Sequence, residues 1–290
     1  MYSMTGFGRG ILQRDGREIS VELKSVNHRF LDISFRMSRT LNFLEDSLRK
    51  YLQSEFARGH VDVYVSYKND REDAKEAVLD KSVVAAYMEA AAELKHMGIS
   101  GGLDIKSVMR LPDAVRISEK EDDAEAIEAM LMQAVSLAGD QLKDSRRREG
   151  ERLKADITAH LLMIAEKRLE IAAREPLVVS DYKEKLTARL ETLLDGVEID
   201  ETRIIQEVAI FADKASIAEE LTRLQAHIET MLEDMQSSAP MGRRLDFIVQ
   251  ELNRETNTIG SKASDMQILA LVVDIKAEIE KIREQVQNIQ

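Results

Sequence analysis

Arg17-Glu-Ile-Ser-Val-Glu-Leu-Lys-Ser-Val-Asn-His-Arg-Phe-Leu-Asp-Ile-Ser-Phe-Arg36 decides the class of this fold. Ile19, Val21 and Leu23 alternate with polar residues, and Leu31, Ile33 and Phe35 repeat the alternation. A period of two belongs to a strand with one buried face. The link between the two runs, Ser25-Val-Asn-His-Arg29, is short, so an antiparallel hairpin is expected there. Outward from this pair, residues 2–9 read as an earlier strand. Residues 41–56 read as a helix with Leu44, Leu48, Tyr51 and Leu52 inward, and Arg58-Gly-His60 leads from it into another alternating run, Val61, Val63, Val65 and Tyr67.

Beyond residue 81 the period becomes helical. Ser82 is the expected cap of a helix over 83–97, residues 98–102 interrupt it, and Asp104 starts a short helix that ends near Leu111-Pro112. A long helix is predicted over 123–174, kinked around Gly150 and ended by Glu175-Pro176, because the residue before a proline leaves the helical region. Further helices follow over 181–194, 201–235 and 264–290 and in the stretch 241–265, with breaks at Asp195-Gly196 and Ser237-Ser-Ala-Pro240. The expectation is an α+β protein. Residues 1–155 form an N-terminal mixed domain with antiparallel strands, and residues 156–290 a C-terminal domain of long, coiled-coil-like helices.

The composition narrows the chemistry. The chain has no cysteine, which excludes disulfides, thiolate metal sites and cysteine nucleophiles and suits a reducing compartment. The first ten residues are neither basic nor continuously apolar, and no run approaches the ~20 apolar residues of a membrane span. The expectation is a cytoplasmic protein with no membrane partner. A net charge of −12 argues against binding nucleic acid over the whole surface but leaves room for a local basic groove. Part of the acid lies in Glu119-Lys-Glu-Asp-Asp-Ala-Glu125, a solvated connection or helix start.

The candidate chemistry sits in two helical segments. Ile217, Leu221, Leu224, Ile228 and Met231 form a coiled-coil-like seam. Beside it runs a strip of Asp213, Ser216, Glu220, Arg223 and His227, and residues 241–265 carry a matching strip of Arg243, Asp246, Gln250, Asn253 and Asn257. A third strip holds Glu251 and Arg254. If the helices pair across the connection at Pro240, a polar cleft forms between the strips. His227 with Glu220 and Glu251 suits a divalent cation, although Glu220 and His227 are about 10 Å apart along one helix. The competing reading is an ion-pair ladder, Glu219 with Arg223, and a histidine at a helix interface. Arg243, Arg244, Arg254 and Lys262 can hold phosphates or pair with Asp246, Glu251 and Glu255. Gly260-Ser-Lys262 lacks the rest of a phosphate loop. His28, in Asn27-His-Arg29, is either a general base, a phosphate contact or part of a turn. Arg146-Arg-Arg148 reads as solvated surface. No nucleophile elbow or dinucleotide fingerprint is present.

Ser3-Met-Thr-Gly-Phe-Gly-Arg9, Ser25-Val-Asn-His-Arg-Phe30, Arg148-Glu-Gly150, Ala218-Glu-Glu-Leu-Thr-Arg-Leu-Gln-Ala-His227, Gly242-Arg-Arg-Leu-Asp-Phe247 and Asn257-Thr-Ile-Gly-Ser-Lys262 together resemble the YicC/YloC family of bacterial proteins over nearly the whole chain. The resemblance implies a mixed N-terminal and a helical C-terminal domain. It also implies a divalent-metal-dependent endoribonuclease preferring single strands, assembled as a homohexamer that can enclose RNA, with a role in small-RNA or messenger turnover and a link to RNA-degradation machinery. Ser216 departs from the family, where an aspartate is usual.

On this reading Mn2+ or Mg2+ is held by some of Glu207, Glu220, His227 and Glu251. The catalytic candidates are His227, Glu251 and His28, with attack by the RNA 2′-OH as an alternative to hydrolysis. RNA is held by Asn27, Arg29, Arg223, Arg243, Arg244, Asn253, Arg254, Asn257 and Lys262. Two rivals are a non-catalytic RNA-binding adaptor that presents RNA to another nuclease and a helical scaffold with no RNA role. A ring with its basic strips facing inward reconciles an RNA substrate with the acidic net charge.

Overall fold

The computed structural model describes residues 1–120, 122–194, 200–237 and 241–289. Strand β1 (Gly6–Arg14) pairs antiparallel with β2 (Arg17–Val26). Their two-residue turn is Asp15-Gly16, both at positive φ (50° and 71°), the left-handed geometry that fits the twist of a hairpin. The strand expected over 2–9 therefore starts later and runs to Arg14. Gly8 and Gly10 hide its alternation, and they have a purpose. A Cβ on either would lie 2.0 Å from a backbone carbonyl oxygen, of Ala138 or Ala134, so β1 rests directly on a helix.

The hairpin expected between residues 19–23 and 31–35 does not form. Strand β3 (Leu31–Arg36) is separated from β2 by β4 (Gly59–Asn69), giving the order β1-β2-β4-β3. Strand β4 is antiparallel to β2, with Val21 opposite Val65, and parallel to β3, with Ile33 opposite Val61. The reason lies in burial. Val61 and Val63 are fully buried, which suits a central strand, whereas β3 has Ile33 as its one buried residue and takes the edge. Asn27 spends its side chain on the Gln287 carbonyl (2.6 Å) instead of closing a turn. The parallel crossover runs through a 3-10 turn (Arg39–Leu44) and α1 (Glu45–Glu55), whose Leu48 and Leu52 face the core with Leu44. A second sheet of β5 (Lys75–Leu79) and β6 (Val115–Glu119) brackets α2 (Lys81–His96) and α3 (Ile105–Val108). Asp80, not Ser82, caps α2, accepting from the Ser82 and Val83 amides.

Helix α4 (Ala124–Leu194) is one element of 71 residues. Asp122 anchors its start, accepting from Arg17 (2.6 Å) and Asn69 (3.0 Å) and bonding Tyr67. Burial works to raise the Asp122 pKa, but these hydrogen bonds and the Arg17 charge hold it at about 2, while burial and Asp122 push Tyr67 up to about 12. The expected stop at Glu175-Pro176 does not occur. Arg174 bonds Asp181 on the far side of Pro176 and Asp265 (2.7 Å), and the Glu175 carboxylate accepts the Ile217 amide (3.0 Å). Contacts on both sides of the proline offset its missing N–H.

Two apolar cores share α4. The sheet and α1 pack on Ile127 through Leu142, and a second core begins at Leu153. Ser3 and Met4 run between them, bonded to the Arg146 and Asn288 carbonyls. Arg146, expected in solvent, is 4% exposed, donates to the Ser3 carbonyl (2.7 Å) and lies over the Phe56 ring. Burial lowers its pKa. Arg147 and Arg148 remain outside, paired with Asp144.

The helix expected over 201–235 is two: α5 (Glu201–Ala215) and α6 (Ala218–Asp234), broken at Ser216, which is extended. Ile217 is the physical cause, since its side chain is buried in the second core and its amide is held by Glu175. Helices α7 (Gly242–Lys262) and α8 (Met266–Val286) complete the unit, with Asp265 capping α8. The seam Ile217, Leu221, Leu224, Ile228 and Met231 is buried as expected. The predicted break at Asp195-Gly196 and residues 238–240 of the α6–α7 connection lie outside the described residues, as does Glu121 in the acidic stretch. Among the described residues no helix is long and apolar enough to cross a membrane.

Candidate active site

Helices α6 and α7 run antiparallel, and their facing polar residues form a register. Asp234 pairs with Arg244, Arg223 with Glu255 (4.0 Å) and Glu220 with Lys262 (2.8 Å). In the middle of that register His227, Glu251 and Glu255 come together. One candidate ligand atom from each lies within 4.8 Å of the others. Spacing and burial explain the arrangement. Glu251 and Glu255 are one turn apart on α7, and the buried Leu224, Ile228, Ile248 and Leu252 press the two helices together beneath them. Glu255 is 4% exposed and forms the floor, while Glu251 and His227 are half-buried at the rim.

Two carboxylates side by side repel, and one of them is largely out of water. Their counter-charges are loosely placed. Arg254 approaches Glu251 only to 3.6 Å, and Arg223 stands 4.0 Å from Glu255 while also bonding Glu219. An imidazole with two carboxylates whose oxygens converge is a donor set that fits a divalent cation.

His227 and Glu251 are thus brought together as expected. Glu255 was expected only as a salt-bridge partner. Its signal was its position one turn past Glu251, readable only once the register against His227 is known. Glu220 is not in the cluster. It is 8% exposed and bound to Lys262, and although burial opposes ionisation, that bond and the Lys262 and Arg223 charges hold its pKa below the usual range. Glu207 lies exposed on α5, beyond the break at Ser216.

Of the expected RNA contacts, Arg243 and Arg254 are exposed on α7, and Asn257 donates to Asn253 (3.1 Å). Asn253 also lines a polar groove with Asp246, Gln250 and Arg283 between α7 and α8. Arg244 is engaged by Asp234, and Lys262 by Glu220 and the Ser216 carbonyl. Asn27, His28 and Arg29 lie on the exposed loop after β2, which is tied to the end of α8 through Asn27. His28 Nδ1 faces the Phe30 carbonyl, Arg58 donates to the His28 carbonyl, and Arg29 lies over the Phe30 ring.

Comparison with known proteins matches the chain to two family models. The model for "Endoribonuclease YicC-like, N-terminal region" matches residues 1–155, and that for "Endoribonuclease YicC-like, C-terminal" matches residues 171–290. A probable endoribonuclease YicC of Clostridioides difficile (strain 630) is 41% identical over 290 residues, 99% of each chain. One of Haemophilus influenzae is 32% identical over 293 residues, 100% of each.

Proposed function

The chain belongs to the YicC-like endoribonuclease family, and from that premise we propose that it cleaves RNA internally at the His227–Glu251–Glu255 cluster with the help of a divalent cation, Mn2+ or Mg2+. The observation that carries this reading is the convergence of these three donors in a cleft with exposed arginines at its edge. A cation held there supplies Lewis-acid stabilisation of the charge that grows on the phosphoryl oxygens. The protein's own groups do the rest. Arg223 and Arg254 hold the phosphodiester over the cluster, and Arg243 extends that grip along α7. With the cation on Glu251 and Glu255, the His227 imidazole can give or take a proton instead of serving as a ligand. Asn253 and Asn257 offer amides to sugar or base edges.

We further assign the site to a homo-oligomer, the hexamer that the resemblance implies, acting on small or messenger RNA. Two observations support this. The net charge of −12 would repel RNA from an open surface. Helix α2 has no buried residue and exposes Met88, Leu94 and Met97. Light scattering tests the assembly, and a monomer would remove its basis.

The deciding experiment is cleavage of a defined single-stranded RNA by wild type, Glu251→Gln and His227→Ala, with binding measured separately and Mn2+ and Mg2+ titrated. Expected are loss of cutting with binding kept, and abolition of wild-type cutting by EDTA. Cutting at full rate in EDTA would refute the metal role. Binding without cutting at every metal concentration would leave the adaptor reading. A 2′,3′-cyclic phosphate end would assign attack to the RNA 2′-OH.

A further inference from the structure

Phe247 is 59% exposed. It is the only phenylalanine, tyrosine or tryptophan in residues 218–290, so the second core is built there from aliphatic side chains while the single ring stays outside. Exposed apolar residues are common, and exposure alone assigns nothing. The position of this one is what matters. The buried side of α7 carries Leu245, Ile248, Val249, Leu252 and Ile259. At 3.6 residues per turn, Phe247 lies on the opposite side, with Arg243, Gln250, Glu251 and Arg254 within about 60° of it around the helix axis. Glu251, at the rim of the cation-type cluster, follows Phe247 by one turn, about 6 Å along the axis. Phe247 therefore shares an exposed helix face with Arg243, one turn before it, and Arg254, two turns after it, and lies one turn from Glu251 of the proposed cleavage site.

We propose that Phe247 is a stacking platform for an unpaired nucleobase, which seats single-stranded RNA so that a neighbouring phosphodiester lies over the His227–Glu251–Glu255 cluster. The proposal rests on the function proposed above and gives its substrate a physical basis. A flat apolar face beside arginines binds any base by its π-face and gains from cationic neighbours, whereas a base inside a duplex has both faces covered. Preference for single strands then comes from Phe247, and sequence tolerance comes with it.

The chain has no tryptophan, so Phe247→Trp places a lone fluorophore at the platform. The full-length Phe247→Trp protein is titrated in EDTA, which holds off metal-dependent cutting, with oligouridylate, oligoadenylate and a duplex of the same length. Saturable quenching by both single strands and little by the duplex is expected. Phe247→Ala should weaken single-strand binding about tenfold, with Phe247→Trp restoring it.

Unchanged fluorescence while RNA binds, or single-strand affinity of Phe247→Ala within about twofold of wild type, overturns the proposal. So does a fall in assembly mass of Phe247→Ala by light scattering with affinity per subunit unchanged, which would make the ring a contact between copies. Glu251→Gln in the Phe247→Trp chain separates this inference from the cleavage reading. Quenching together with persistent cutting retires the cluster and keeps the platform. Cutting that depends on Glu251 without quenching does the reverse.

Discussion

Two helix interfaces in this protein set a histidine against glutamate, and they differ in what is left over. Between α4 and α8, His160 Nδ1 meets Glu278 Oε2 at 2.6 Å and Lys281 takes Glu278 Oε1 at 2.8 Å. Both carboxylate oxygens are satisfied, and Glu278 is 6% exposed. Between α6 and α7, Glu251 and Glu255 meet their arginines only at 3.6 and 4.0 Å, and His227 completes a convergent set. The residue types are the same. What separates a packing device from a candidate site is whether the acceptors already have their donors, because a buried carboxylate bonded on both oxygens has nothing left to offer a ligand.

Substitutions test that difference directly. Glu255→Gln should reduce cleavage about a hundredfold or more, since it removes one of the two carboxylate charges of the proposed cation site, while the melting temperature changes little. Gly10→Ala serves as the stability control. Its new Cβ meets the Ala134 carbonyl, so it should cost about 3 kcal/mol by denaturant titration, with cleavage per folded molecule unchanged. Glu278→Ala should cost about 2 kcal/mol, since it takes the partner from His160 Nδ1 and from the Lys281 ammonium, again with cleavage intact. Loss of cutting in Glu278→Ala but not in Gly10→Ala would break the comparison.

A smaller effect follows from pH. The Lys281 bond, opposed by burial and aided by His160, holds the Glu278 carboxyl below its ordinary 4.5. The stabilisation is therefore complete above that value and is lost as pH falls through the lower folded pKa. The stability gap between wild type and Glu278→Ala should close in acid, as measured by urea titration from pH 6 downward. A constant gap would deny Glu278 its ionic role. Smallest of all, Arg254→Ala should weaken RNA binding a few-fold and lower the slope of log affinity against log salt by about one.

Much of the fold was legible where burial imposes a period. The alternation at Ile19, Val21 and Leu23 and the seam from Ile217 to Met231 are both buried as read. The errors arose where a distant residue supplied what the local chain lacked. Pro176 is carried through α4 by Arg174, Asp181 and Asp265, and the predicted single helix over 201–235 yields to Glu175 at Ile217. Asp15-Gly16 carries its turn signal locally and closes the β1–β2 hairpin. In the candidate site, His227 and Glu251 stood out as residue types, while Glu220 was drawn in by a helical strip and is instead held by Lys262.

The sequence by itself determined the α+β class, the apolar faces and the family, because periodicity and long motifs are local properties of the chain. Only the tertiary structure decided that β4 would separate β2 from β3, that Arg146 would be buried, and that Glu255 would join His227 and Glu251. Each depends on which surfaces meet. Strand order follows from which strand can be covered on both edges, and a three-donor cluster exists only when two antiparallel helices settle into one register.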